Sequence, residues 1–89
     1  MIIENIQLIL KGIKFAEISV LLIEDDNERT VKQKKIDLLS NEMKMYEEVE
    51  YWTEEEETRI NQIASKLTQS TDETMGFDLI SVIDNISFD

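Results

Sequence analysis

The sequence predicts an α+β domain: an N-terminal helix, a three-stranded antiparallel meander and then two C-terminal helices. Three observations favour this order. Apolar residues recur at helical spacing near both ends of the chain, β-branched residues lie between them, and a capping box opens the segment after residue 52. The chain has 89 residues, of which 42% are hydrophobic, and this is enough for one modest core. We therefore expect a single domain over residues 1–89.

The first predicted element is a helix that ends at Gly12. Its apolar residues share one helical face and are Ile2, Ile3, Ile6, Ile9, Leu10 and Ile13. Polar residues fall between them, and glycine commonly stands just past the C-terminus of a helix. A helix of about ten residues is therefore expected.

The next segment, residues 14–24, predicts the first strand. Ile18, Val20 and Ile23 are β-branched, and apolar residues alternate with others over much of this stretch. The polar run 25–28 then predicts the turn of a hairpin. If that turn closes, Glu24 lies opposite Arg29, which is a favourable cross-strand pair.

Residues 29–52 are open to two interpretations. As two strands broken at Ser40 and Asn41, they complete the meander. As one helix, they belong to an all-α helical bundle and are apolar on two sides, with Ile36, Leu39, Met43 and Tyr46 on one side and Val31, Leu38, Met45 and Trp52 on the other. We prefer the strands because a two-sided helix needs two partners. A helix that reaches Trp52 also leaves no residues for a connection to the helix that follows.

Two helices are predicted at the C-terminal end. Thr53 and Glu56 form a capping box of the S/T-x-x-E type, which starts a helix that runs to about Gln69. The apolar stripe of this helix is Ile60, Ile63, Ala64 and Leu67. A final helix is outlined by Met75, Leu79, Val82, Ile83 and Ile86.

Charge is the strongest functional signal. Twenty acidic residues face nine basic ones, the net charge is -11, and seven of the eleven residues from Glu47 to Glu57 are glutamate. Such a surface repels itself, so it often serves solubility or a basic partner. Glutamates in the first turn of a helix also complement its dipole, which is a purely structural explanation for residues 54–57. The predicted partner-binding residues are Glu47, Glu48, Glu50, Tyr51, Trp52, Glu54, Glu55 and Glu57.

Carboxylates held at regular intervals can occupy lysine and arginine sites that otherwise bind nucleic-acid phosphates. Small acidic inhibitors of phages and other mobile elements, including some restriction and CRISPR inhibitors, work in this way and are comparable in size and charge. We therefore expect a DNA-mimicking inhibitor that binds a basic, nucleic-acid-binding protein. The alternatives are an antitoxin or immunity-type protein that neutralises a cationic toxin, and a non-enzymatic dimerisation or regulatory module, which leaves a homodimer open.

Other functions are disfavoured by what the sequence lacks. Histidine and cysteine are absent, so serine has no usual activating base and the commonest metal ligands are missing. Phosphate-binding glycine motifs and EF-hand loops are also absent, so we expect no enzyme activity, no cofactor and no metal. The acidic field opposes direct nucleic-acid binding, and Lys32, Lys34 and Lys35 are expected to pair with acids such as Asp37 and Glu47.

The amino terminus lacks the basic region of a signal peptide. The longest apolar run, Val20 to Ile23, is far shorter than the roughly 20 residues that span a bilayer. We therefore expect a cytoplasmic protein that makes no membrane contact.

Overall fold

The computed structural model describes residues 2–69 and 79–88, and these residues form helices joined by short links. The elements are α1 (Ile2–Ser19), a 3₁₀ turn (Val20–Leu22), α2 (Asp26–Glu48), α3 (Glu54–Gln69), α4 (Leu79–Val82) and a second 3₁₀ turn (Ile83–Asn85). No strand occurs within the described residues, so the predicted α+β meander is wrong. The all-α alternative describes the fold.

The central element is α1, which packs against α2, α3 and α4. Helix α2 runs back along α1, and Leu21, after the end of α1, lies beside Gln33 in the first half of α2. Helix α3 runs in the same direction as α1. Near the start of α1, Asn5 Nδ2 donates a hydrogen bond of 2.7 Å to Asn61 Oδ1, and the Leu67 side chain lies further along beside Gly12.

The C-terminal segment, residues 79–88, bridges α2 and α3. Lys32 and Lys35 of α2 form ion pairs with Asp84, while Lys66 Nζ of α3 donates to the Asn85 carbonyl oxygen at 2.6 Å. Apolar residues from all four helices and both 3₁₀ turns then close one core. Its buried members are Ile6, Ile9, Ile13, Ala16, Val20, Ile36, Leu39, Met43, Tyr46, Ile60, Ile63, Ala64, Leu67, Leu79, Ile83 and Ile86.

The predicted end of the first helix at Gly12 and the strand over residues 14–24 are both wrong. Ile13, Ala16 and Val20 continue the buried stripe of α1 at spacings of three and four, so burial on one helical face outweighs the β-propensity of this segment. Gly12 is buried inside the helix instead. A Cβ atom built there lies 3.5 Å from Leu67 Cδ1, an ordinary van der Waals distance, so α3 packs directly over this position and an alanine would fit.

The predicted hairpin turn at residues 25–28 is the start of a helix. Asp25 Oδ1 accepts hydrogen bonds from the backbone N–H groups of Asn27 at 2.9 Å and Glu28 at 3.1 Å, which makes Asp25 the N-cap of α2. An acidic residue followed three positions later by glutamate is close to the capping-box pattern, and this signal favoured a helix over a turn.

Residues 29–52 contain most of one long helix and part of the link that follows it, so the two-strand interpretation is wrong. Because α2 ends at Glu48, Trp52 lies outside the helix, and residues 49–53 provide the connection to α3. The second apolar side of α2 is not buried in the core. Val31, Leu38 and Met45 remain 51%, 44% and 54% exposed, whereas the opposite side of α2 is in the core.

The predicted helix after Thr53 is confirmed. Glu56 N donates to Thr53 Oγ1 at 3.1 Å, and Thr53 N donates to Glu56 Oε1 at 2.9 Å, so the capping box forms as expected. The final predicted helix is present in its second part as α4 and a 3₁₀ turn. Met75 lies outside the described residues.

Candidate functional site

The eight predicted partner-binding residues surround the connection between α2 and α3, which we call the acidic corner (residues 47–57). Glu47 and Glu48 end α2, the next three predicted residues lie in the link, and Glu54, Glu55 and Glu57 form the first turn of α3. All eight are exposed except Trp52, which is partly buried against the core. The corner therefore presents six solvated glutamates and one exposed aromatic ring.

The predicted spacing within this cluster needs correction. In the two-strand interpretation of residues 29–52, alternation would place Glu48 and Glu50 on one face of a strand, but Glu48 is the last helical residue and Glu50 lies in the bend that follows. On α3, Glu54 and Glu57 are three residues apart, which makes their side chains neighbours on the helix surface at about 5–6 Å between Cβ atoms. The regular spacing of carboxylates therefore comes from helices.

Tyr51 and Trp52 have different roles in the structure. Tyr51 is 85% exposed, which is the highest exposure among the large hydrophobic residues described. Trp52 packs against the core and donates its indole Nε1–H to the Tyr46 carbonyl oxygen at 2.9 Å. That carbonyl belongs to the last turn of α2, where carbonyls lack a helical partner. Trp52 thus fixes the link to the end of the helix and leaves Tyr51 in solvent.

A network of polar contacts between α2 and α3 adjoins the acidic corner. The Tyr46 hydroxyl donates to Glu42 Oε2 at 2.6 Å. Glu42 also accepts two hydrogen bonds from the Arg59 guanidinium of α3, one from Nε and one from Nη2 at 2.9 Å. The same guanidinium stands over the Phe88 ring, with its central carbon 5.6 Å from the ring centroid. These contacts hold the ends of α2 and α3 in a fixed relation.

The pKa values of this network follow from its partners. Burial alone would raise the pKa of Glu42, but hydrogen bonds from Arg59 and Tyr46 outweigh it and lower the pKa below its usual value. Burial and the hydrogen bond to Glu42 raise the pKa of Tyr46 to about 12. Glu42 is therefore charged and Tyr46 neutral at physiological pH, which is the arrangement that this network needs.

The two halves of the corner differ in their relation to the helix dipoles. Glu54, Glu55 and Glu57 lie at the N-terminus of α3, where negative charge is favourable by about 0.3–1 kcal/mol per residue. Glu47 and Glu48 lie at the C-terminus of α2, where negative charge is unfavourable by a similar amount. The last turn of α2, all of it described, has no basic residue, and the nearest base along the helix is Lys44, just before that turn. Helix electrostatics therefore explains the acids of α3 and not those of α2.

The residues that sequence reasoning missed are those that pair across long distances in the chain. Lys32 and Lys35 pair with Asp84, 52 and 49 residues away, instead of with the predicted neighbours Asp37 and Glu47. Hydrogen bonds from both lysines hold the pKa of Asp84 below its usual range. Glu42 and Arg59 were also missed, since no local motif marks an ion pair between two separate helices.

Among residues 2–69 and 79–88, no group of three or more acidic side chains is arranged to hold a metal ion. None of the helices described has the length and apolar character that crossing a membrane requires. No protein-family model, curated protein or solved structure matches the chain.

Proposed function

We propose that this chain is a non-enzymatic inhibitor that binds a basic, nucleic-acid-binding protein through the acidic corner. The carboxylates of the corner occupy lysine and arginine sites that otherwise bind phosphates, so the protein acts as a nucleic-acid mimic. In this proposal the protein binds no nucleic acid itself, because its own field repels phosphate.

The observation that carries the proposal is the position of Glu47 and Glu48 at the C-terminus of α2. These charges oppose the helix dipole and are followed, after the link at residues 49–53, by four further glutamates in the first turn of α3, so we expect them to lower the free energy of unfolding. Solubility needs negative charge somewhere on the surface but not at this unfavourable position. A binding role accounts for the position, because a basic partner would compensate the charge in the complex.

The exposed ring of Tyr51 also favours the acidic corner as the binding surface. Tyrosine is among the residues that contribute most to protein interfaces, and here it stands between the glutamates of α2 and those of α3. Its immediate neighbour Trp52 is fixed by the bond to Tyr46, so the ring projects from an ordered link. An aromatic residue surrounded by acids suits a partner with apolar and cationic groups side by side.

The test is affinity capture from lysate by the tagged 89-residue chain, with DNA duplex as competitor. The triple variant Glu47→Lys, Glu48→Lys, Glu50→Lys should lose about a hundredfold in affinity for the captured protein, because each reversal replaces attraction by repulsion. The wild-type complex should be displaced by the duplex and weakened by NaCl.

The matched control reverses three exposed acids outside the corner, Glu17, Glu24 and Asp37, and gives the same net charge. This variant should bind within about threefold of wild type, since electrostatic effects between exposed groups fall off over the Debye length. Circular dichroism establishes that both variants fold. A folded triple variant of the corner that binds as tightly as wild type would show that these acids serve solvation only.

A further inference from the structure

One side of α1 and the 3₁₀ turn that follows it carry an exposed apolar stripe, which we call the outer face of α1. Phe15, Ile18 and Leu22 follow one another at spacings of three and four and are 48%, 66% and 79% exposed. Leu21 lies beside them and is 70% exposed. The opposite face of the same helix is buried in the core, so the exposure of the stripe is not a result of loose packing. A group of neighbouring exposed apolar side chains on a small protein is typical of an interaction surface.

The stripe lies in the electrically neutral part of the chain. Residues 2–22 contain two acids, Glu4 and Glu17, and two bases, Lys11 and Lys14, all of them exposed. The whole net charge of -11 therefore belongs to residues 23–89. A strongly basic partner would bind the acidic surface of residues 23–89 instead. A neutral apolar stripe that is flanked by both signs of charge is best complemented by the same stripe on a second copy of the chain.

The acidic corner is far from this stripe. Leu21 lies beside Gln33 of α2, and the helix from Gln33 to Glu47 spans roughly 20 Å at a rise of 1.5 Å per residue. The molecule is 40 Å along its longest axis. Because the Debye length is about 8 Å at physiological ionic strength, the corners of two molecules joined through their stripes repel each other weakly. The acids nearer the stripe are Glu24 and Asp25 of the link and Asp26 at the start of α2, of which Asp26 is paired with Arg29.

We propose that two copies of the chain associate through the outer faces of their α1 helices. The contact is isologous, so each copy presents the same stripe and every pair of contacts occurs twice. In an antiparallel crossing centred between residues 16 and 17, Phe15 of one copy meets Ile18 of the other, and the aliphatic stem of Lys11 covers Leu22. The dimer leaves both acidic corners free, and the inference does not depend on what the corner binds.

The first test is sedimentation equilibrium of the full chain over a concentration series. Wild type should show a mass twice the 10.4 kDa of one chain, and NaCl should strengthen association by screening the link acids. The variant Ile18→Lys, Leu22→Lys should dissociate at least about tenfold more readily, because it places like charges in the apolar contact. The control Val31→Lys, Met45→Lys makes the same charge change at exposed apolar positions of α2 and should remain dimeric.

The second test uses the absence of cysteine from the chain. Ile18→Cys introduces a single thiol, which a short bis-maleimide should link across the contact into a covalent dimer. Met45→Cys places its thiol at a position that is also exposed, 54% against 66% for Ile18, but outside the contact, so it should not be cross-linked in the same reaction. A wild-type mass of one chain at every concentration would overturn the inference, as would a lysine double variant that stays dimeric. A mass that rises past two chains would also overturn it, since an open head-to-tail contact would then replace the isologous one.

Discussion

The acidic corner and the outer face of α1 lie near opposite ends of α2 and expose opposite kinds of side chain. The corner exposes six glutamates around Tyr51, while the face of α1 exposes apolar residues with a net charge of zero. Each holds groups that the isolated fold does not favour: Glu47 and Glu48 oppose a helix dipole, and Ile18 and Leu22 leave apolar area in water. The comparison teaches that the two surfaces differ in chemistry and in position, so substitutions at one can be tested separately from substitutions at the other.

The two regions also differ in what supports them. The face of α1 lies on the helix at the centre of the core, whereas the corner depends on a few polar contacts around Glu42 and Arg59. A change in that network should therefore alter the corner and leave the outer face of α1 unchanged. This difference gives the following predictions, which run from the largest effect to the smallest.

Removing the carboxylate of Glu42 should have the largest effect. Glu42→Ala leaves the Arg59 guanidinium and the Tyr46 hydroxyl without this acceptor, and both side chains of the ion pair are less than a third exposed, at 18% and 29%. We expect a loss of about 2–3 kcal/mol in the free energy of unfolding at neutral pH. Urea denaturation measures it, and Asp37→Ala is the control, because that exposed acid should change stability by less than about 0.5 kcal/mol.

The effect of Glu42 should depend on pH in a defined direction. Its pKa is lower in the folded chain than in the unfolded one, so the stabilisation is present above the ordinary carboxyl pKa and is lost as pH falls through the folded value. The difference between wild type and Glu42→Ala should therefore shrink in acid. A difference that stays constant down to the acid transition would contradict the assigned charge state.

The aromatic residues of the corner should separate binding from stability. Tyr51→Ala removes an exposed ring, so it should weaken capture of the basic partner by at least about tenfold and leave the melting temperature nearly unchanged. Trp52→Ala removes a ring that packs against the core and bonds to Tyr46, so it should lower the melting temperature as well. If Tyr51→Ala binds as wild type does, recognition at the corner is purely electrostatic.

Much of the core could be predicted from the sequence. The apolar periods of α1 and α3 placed Ile6, Ile9 and the stripe from Ile60 to Leu67 in the interior, and the capping box at Thr53 located the start of α3. These signals are local, because helical periodicity and capping depend on residues three or four positions apart. Local signals of this kind are enough to define a helix that has one buried face.

The middle of the chain could not be predicted correctly for two physical reasons. Ile18 and Val20 favour strands intrinsically, but the first is exposed and the second is buried on a continuing helical face, so tertiary burial decided the conformation. In α2, Leu38 and Met45 suggested a second buried side that the fold leaves half exposed. The ion pairs of Glu42 and Asp84 depend on contacts between distant segments, which no spacing in the sequence reveals.

The central claim is that the acids of α2 are placed against the preference of the fold, and thermal unfolding of two charge-matched variants tests it most directly. Glu47→Lys, Glu48→Lys reverses two acids at the C-terminus of α2, and Glu54→Lys, Glu55→Lys reverses two at the N-terminus of α3. Both variants reduce the net negative charge equally, so general repulsion falls by the same amount in each. The difference between their melting temperatures therefore measures the effect of the helix dipoles.

We predict that the α2 variant melts above wild type and above the α3 variant. At about 0.3–1 kcal/mol per charge, the two reversals in α2 should raise the melting temperature by several degrees. The α3 variant should gain less or should melt below wild type. An α2 variant that melts below both would show that Glu47 and Glu48 stabilise the fold, and the argument that they are kept for a partner would fail.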